Sequence, residues 1–194
     1  MAKTNRGAVV LGLILGLSGL GLSRAKAAIM VLGGMGQTCF EAAREADHRR
    51  ATPPDSIDLC TRALESTLSQ RDQAGTHVNR GVLYMIKGQV EDAMNDFDLA
   101  ASILPSMAEA HVNLGAALVA MRRDRDGVDE ITKGLNMGSA EPEKSYFNRA
   151  VGEEHLDDFA GAYRDYSKAA ELKPDWAQPK EELTRFQVEP APAR

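Results

Sequence analysis

Asn79, Asn113 and Asn148 fall at the same point of three successive copies of one unit, spaced 34 and then 35 residues apart. The same offsets align Gly81 with Gly115 and Ala150, Ala93 with Gly127 and Ala162, Phe97 with Ile131 and Tyr166, and Ala100 with Gly134 and Ala169. A repeat of this length excludes most folds, because each copy must be one supersecondary unit whose apolar face is covered only by its neighbours. The order inside the unit narrows the choice. A small residue is followed 12 positions later by a second one, then by an aromatic or branched residue 4 on and a small one 3 further. Two antiparallel helices in close contact require that alternation. Segments 90–104 and 159–172 carry apolar residues at helical spacing, and no Val, Ile or Thr run with period two competes in the body of the chain. The expectation is an all-α solenoid of helix-turn-helix units.

The period and the small-large-small order resemble the tetratricopeptide repeat (TPR) family. Pro105 and Pro174, 69 residues apart, stand where that repeat places its terminal proline. The resemblance covers about residues 36–176, is similar to small secreted bacterial members through Asn79-Arg80-Gly81, and is weakest in the first copy. It implies a TPR domain over 36–187: repeats at 36–73, 74–107, 108–142 and 143–176, then a capping helix over 177–187. Asp55, just after Pro53-Pro54, is expected to cap the second helix of repeat one. Pro179 opens the final helix, whose Leu183 and Phe186 should cover Trp176. Repeat three carries Gly127 and Gly134 where its neighbours have Ala, and is expected to be the softest. The tail, 188–194, with Pro190 and Pro192, is expected to be disordered.

The first 27 residues read as an address. Lys3 and Arg6 precede a 16-residue uncharged apolar run, 7–22, and Ala25-Lys26-Ala27 offers a small-x-small cleavage site. A secretory signal peptide over 1–27 is expected, with a short apolar segment, 28–35, after it. An uncleaved anchor is the alternative, but the run is rich in glycine and short of the roughly 20 residues a span needs. No cysteine follows at the position a lipoprotein signal requires. Cleavage would remove Lys3, Arg6, Arg24 and Lys26 and take the formal net charge from −5 to −9. Such an acidic protein is a poor partner for nucleic acid or anionic lipid. The localisation expected is the periplasm.

Cys39 and Cys60 are 21 residues apart and form no C-x-x-C pair. In the clearer repeats, residues facing each other across the helix pair are 20 apart (His77 and Phe97; Tyr146 and Tyr166), and the turn at Ala51-Thr52-Pro53-Pro54 absorbs one more. A disulfide clamping the first repeat is therefore expected, as suits an oxidising compartment. Two buried free thiols in a cytosolic protein are the alternative.

The resemblance implies that the first helix of each repeat lines a concave groove. On this sequence the groove holds Val78, Asn79 and Val82 from repeat two, Val112 and Asn113 from repeat three, and Lys144, Phe147 and Asn148 from repeat four. Met85, Ile86, Ala116, Val119, Val151 and His155 complete it. An Asn side chain both donates and accepts, so a ladder of three can pair with the backbone of an extended peptide while Val78, Val112 and Phe147 meet its side chains. Bonds that set the stacking of repeats explain the same recurrence. The basic residues of a terminal-carboxylate clamp are missing, with Lys144 alone in such a position. Arg80 and Arg149 each precede a carboxylate, Asp96 and Asp165, by 16 residues, which favours a bridge across each helix pair; repeat three has Leu114 instead.

No Ser/His/Asp arrangement, phosphate loop or paired carboxylates emerges, so the chain is expected to be no enzyme and to need no cofactor. His77 and His111 read as packing residues rather than metal ligands, and Asp124-Arg125-Asp126-Gly127 lacks the later ligands of a calcium loop. An exported adaptor binding an unidentified protein or peptide through the groove is the functional expectation. A self-associating envelope protein and a thiol oxidoreductase using Cys39 and Cys60 are the competitors.

Overall fold

The structure, a computed structural model, describes residues 8–13, 36–49 and 51–190. The rest of the expected leader and of the 28–35 segment, and residues 191–194, lie outside the described residues. Eight of the helices form four antiparallel pairs: α1 (Gly36–Arg49) with α2 (Ser56–Leu64), α3 (Gln70–Lys87) with α4 (Val90–Ile103), α5 (Ala108–Ala120) with α6 (Asp124–Asn136), and α7 (Pro142–His155) with α8 (Phe159–Leu172). A short α9 (Ala177–Leu183) packs on α8. The first helices touch one another along the array, α1 with α3, α3 with α5 and α5 with α7, so theirs is the inner side. The body is thus an all-α solenoid.

Turn chemistry explains the regularity. Gly88, Arg122 and Asp157 are equivalent, and all three are left-handed, with φ of 79°, 63° and 62°. Around each, the same two backbone bonds close the helix: Gly88 N to Met85 O and Gln89 N to Tyr84 O, with Arg122–Val119 and Arg123–Leu118, then Asp157–Glu154 and Asp158–Glu153, as the copies. Glycine takes this conformation without strain, whereas Arg122 and Asp157 hold it because packing on both flanks over-determines the turn. Asp55 precedes α2 with φ 62° but makes no side-chain cap bond; the Ser56 hydroxyl donates instead to the Pro53 carbonyl at 2.9 Å. Ser69 does cap α3, accepting from the Asp72 amide at 3.1 Å.

The aligned small residues mark where backbones meet. Phe97, Ile131 and Tyr166 are fully buried, each against the small residue 16 positions earlier. In repeat three the contact is backbone on backbone. A Cβ at Gly115 would lie 2.6 Å from the Gly127 carbonyl oxygen, and one at Gly134 would lie 2.7 Å from that of Ala108. The glycines expected to soften this repeat instead let α5 and α6 approach more closely than alanine allows.

The carboxy-terminal end differs from expectation. Trp176 and Phe186 join Phe147 and Tyr166 in one aromatic cluster, with ring centroids 4.9 Å apart for Phe147–Trp176 and 6.1 Å for Tyr166–Phe186. Val188 to Pro190, read from sequence as a disordered tail, belong to strand β2 (Phe186–Pro190). That strand pairs antiparallel with β1 (Ala8–Leu13), Val10 opposite Val188. Phe186 anchors β2 by its burial in the aromatic cluster, and Ala8–Leu13, inside the expected leader, supplies its ladder partner. Among the described residues no helix is long and apolar enough to cross a membrane.

Candidate interaction faces

Each residue assigned to the groove stands on a first helix, as expected, yet none is open to solvent. Val78, Asn79, Asn113 and Phe147 are 0% exposed, Val82 and Val112 1%, Asn148 2% and Lys144 9%. The open trough is therefore corrected: in the 194-residue chain this face is covered. Asn79, Asn113 and Asn148 each already have a bonding partner. Lys144 Nζ lies 2.7 Å from Glu141 and 3.8 Å from Asp47 on α1, so an ion pair spans the inner side from the first repeat to the fourth. Val151 and His155, on the last turns of α7, remain half-buried.

Cys39 and Cys60 are joined in a disulfide linking α1 to α2, and both are fully buried beside Ala43, Ala46 and Leu83. The helix-pair spacing had located both partners.

The Arg–Asp bridges are present and bidentate. Arg80 donates from Nε and Nη2 to the two Asp96 oxygens at 2.8 Å each, and from Nη1 to Thr61 Oγ1 on α2 at 3.0 Å. Arg149 repeats the arrangement with Asp165, at 2.6 and 3.0 Å, and with Thr132 on α6 at 3.1 Å. One guanidinium thus ties three helices together. Burial alone would raise the Asp96 carboxyl, but the bonds from Arg80 and His77 hold it below the usual carboxylate range.

The histidines were read from sequence as lacking carboxylate partners, and that is corrected. His77 Nδ1 lies 2.8 Å from Asp96, His111 Nδ1 2.7 Å from Glu130, and His155 Nδ1 2.6 Å from Asp124. Two of these pairs cross a helix hairpin and the third joins repeats three and four, contacts that spacing along one helix does not reveal. Among the described residues no three His, Cys, Asp or Glu side chains converge as metal ligands.

Glu153 is the misfit. Its Oε2 is buried without a hydrogen-bond partner, and its side chain is 15% exposed. Burial, then the charge of Asp165, pushes its carboxyl up from 4.5 to about 7. Because the folded carboxyl keeps a proton that the unfolded one releases, stability falls as pH rises from about 4.5 to 7. Glu153→Gln avoids that loss. Urea melts should show the variant gaining about 1–2 kcal/mol on wild type between pH 5 and pH 8; a constant difference would refute this.

Outside the first-helix face, a cleft of about 550 Å³ opens between α4 and α6, with α5 as its floor. Met94, Leu114 and Leu118 supply its apolar part, and Asp98, Asp129 and Glu130 its charge. Sequence reading noted Leu114 as the break in the arginine series without seeing that a cleft follows.

No protein-family profile matches the chain, and no curated protein matches it in sequence. Solved structures do. The TPR domain of Arabidopsis OM64 superposes with a TM-score of 0.57 at 20% identity, covering 60% of this chain and 96% of that one. MamA residues 41 to the end from Desulfovibrio magneticus RS-1 gives 0.60 at 14% identity, covering 78% and 82%. A further MamA crystal structure gives 0.59 at 16%, with the same coverage. At these identities the likeness shows the fold: this is a tetratricopeptide-repeat solenoid.

Proposed function

We propose that the chain is an exported, non-enzymatic adaptor that binds a protein or peptide partner along the inner face formed by α3, α5 and α7. The observation that carries this is the recurrence, at one repeat position on those three helices, of an amide able to pair with an extended backbone beside apolar side chains, Val78, Val112 and Phe147. Export is supported by the basic-apolar leader and by a buried disulfide, which suits an oxidising compartment. A non-catalytic role is supported by how the charged groups are used: Asp96, Asp124, Glu130 and Asp165 each hold one helix to another. In the full chain the face is covered, so binding follows its opening. Removal of residues 1–27 would take away β1, the partner of β2 at the carboxy-terminal end.

The test places a photo-cross-linking residue at Val151, half-buried at the end of the face, and separately at the exposed Leu99 on α4, in the native host. One discrete adduct from position 151 but not from 99, lost with Asn113→Ala and Asn148→Ala while the melting temperature holds, is the expected result. An adduct only from position 99 would move binding to another face. An adduct of twice the chain mass would identify a self-associating protein instead.

A further inference from the structure

We propose that the cleft between α4 and α6 receives an arginine side chain from a partner protein, in the place that the chain's own Arg80 and Arg149 fill in the repeats on either side. This surface is separate from the inner face, and the inference holds whether or not that face binds.

The argument comes from internal repetition. Arg80, Leu114 and Arg149 are equivalent, 34 and 35 residues apart. In repeats two and four the guanidinium enters between two second helices. It meets a carboxylate on its own repeat (Asp96, Asp165) and a hydroxyl on the preceding one (Thr61, Thr132). Carried into repeat three by the same offsets, the carboxylate position becomes Glu130 on α6 and the hydroxyl position becomes Asp98 on α4. Both line the cleft, and Leu114 lies between them. Leucine ends short of where a guanidinium would sit and offers no donor, so the slot remains as open volume.

The charge of the slot has also changed. The neighbouring repeats present one carboxylate and one hydroxyl, whereas here two carboxylates face the opening. Glu130 is met by His111 at 2.7 Å and by Lys133 at 2.5 Å. The Lys133 side chain is 55% exposed and free to swing outward as a better-matched cation enters. Asp98 makes no hydrogen bond or ion pair with another described residue. A planar guanidinium suits this pair of acceptors better than an ammonium, because its fork can address both at once. Its methylene stem would lie along Met94, Leu114 and Leu118, which form the apolar part. A volume of about 550 Å³ exceeds one side chain and leaves room for the backbone that carries it, which points to a protein segment.

The test is an amide NMR titration of the full chain with the blocked tripeptide Ala-Arg-Ala, its Ala-Lys-Ala counterpart and free arginine. The arginine tripeptide should shift the amides of Asp98, Leu114, Leu118 and Glu130 saturably, and bind at least about threefold more tightly than the other two probes. Leu114→Arg, whose own side chain fills the slot, should abolish the shifts. If that variant does not fold by circular dichroism, Asp98→Asn should weaken binding at least about tenfold. The proposal is overturned by the absence of saturable shifts at those amides, by equal binding of the lysine tripeptide or of free arginine, by unchanged shifts in folded Leu114→Arg, or by unchanged affinity in Asp98→Asn.

Discussion

The Asp96→Ala variant is expected to lose about 3–5 kcal/mol of folding stability, measured as a drop in the urea midpoint without a change of slope. The side chain is 3% exposed and accepts from three groups on α3, the Nε and Nη2 of Arg80 and the His77 ring. Alanine removes every acceptor and leaves a guanidinium that is 18% exposed without its counter-charge, with Thr61 as its one remaining partner. The penalty is desolvation left uncompensated rather than the worth of one bond, so the partner change is informative. Arg80→Leu combined with Asp96→Leu should cost less than Asp96→Ala alone, because two apolar side chains then meet where two charges were. A loss below about 1 kcal/mol for Asp96→Ala would show the pair to be solvated. The pH sense follows from the lowered carboxyl. Its contribution is present above the ordinary aspartate range and is lost as pH falls toward the folded value.

Removing the disulfide is expected to cost about 3 kcal/mol, through Cys39→Ser with Cys60→Ser or by reduction. The bridge closes a loop of 21 residues in the terminal repeat, where α1 and α2 have a neighbour on one side only. Its loss should therefore be felt locally. Hydrogen exchange should rise across residues 36–64 in the double variant and change little in α7 and α8, because a solenoid distributes stability by nearest-neighbour contact. Uniform loss of protection would mean that the array unfolds as one unit. Both sulfurs are fully buried, so reduction of the native protein should be slow without denaturant.

Repetition made the helix pairs legible. The residues facing each other across a hairpin, including Cys39 with Cys60 and Arg80 with Asp96, followed from one alignment of three copies. Legibility ended where contacts leave the repeating frame. His155 with Asp124 joins two repeats through residues that are not equivalent, Lys144 with Asp47 spans three, and β1 with β2 joins the two ends of the chain. Gly115, Gly127 and Gly134 show a further limit. A glycine in a helix lowers helical propensity, and propensity is all that a single strand of sequence displays; the gain in approach between two backbones appears only when both helices are in place.

The sequence by itself determined the architecture, because period, the position of small residues and helical amphipathicity are local properties that all demand the same stacked hairpins. Only the tertiary structure decided which faces are available. It covered the asparagine ladder that the period had aligned, and it opened a cleft at Leu114 where the arginine series breaks. Exposure is a sum over neighbours from several repeats and both chain ends, so no position in one repeat carries enough information to fix it.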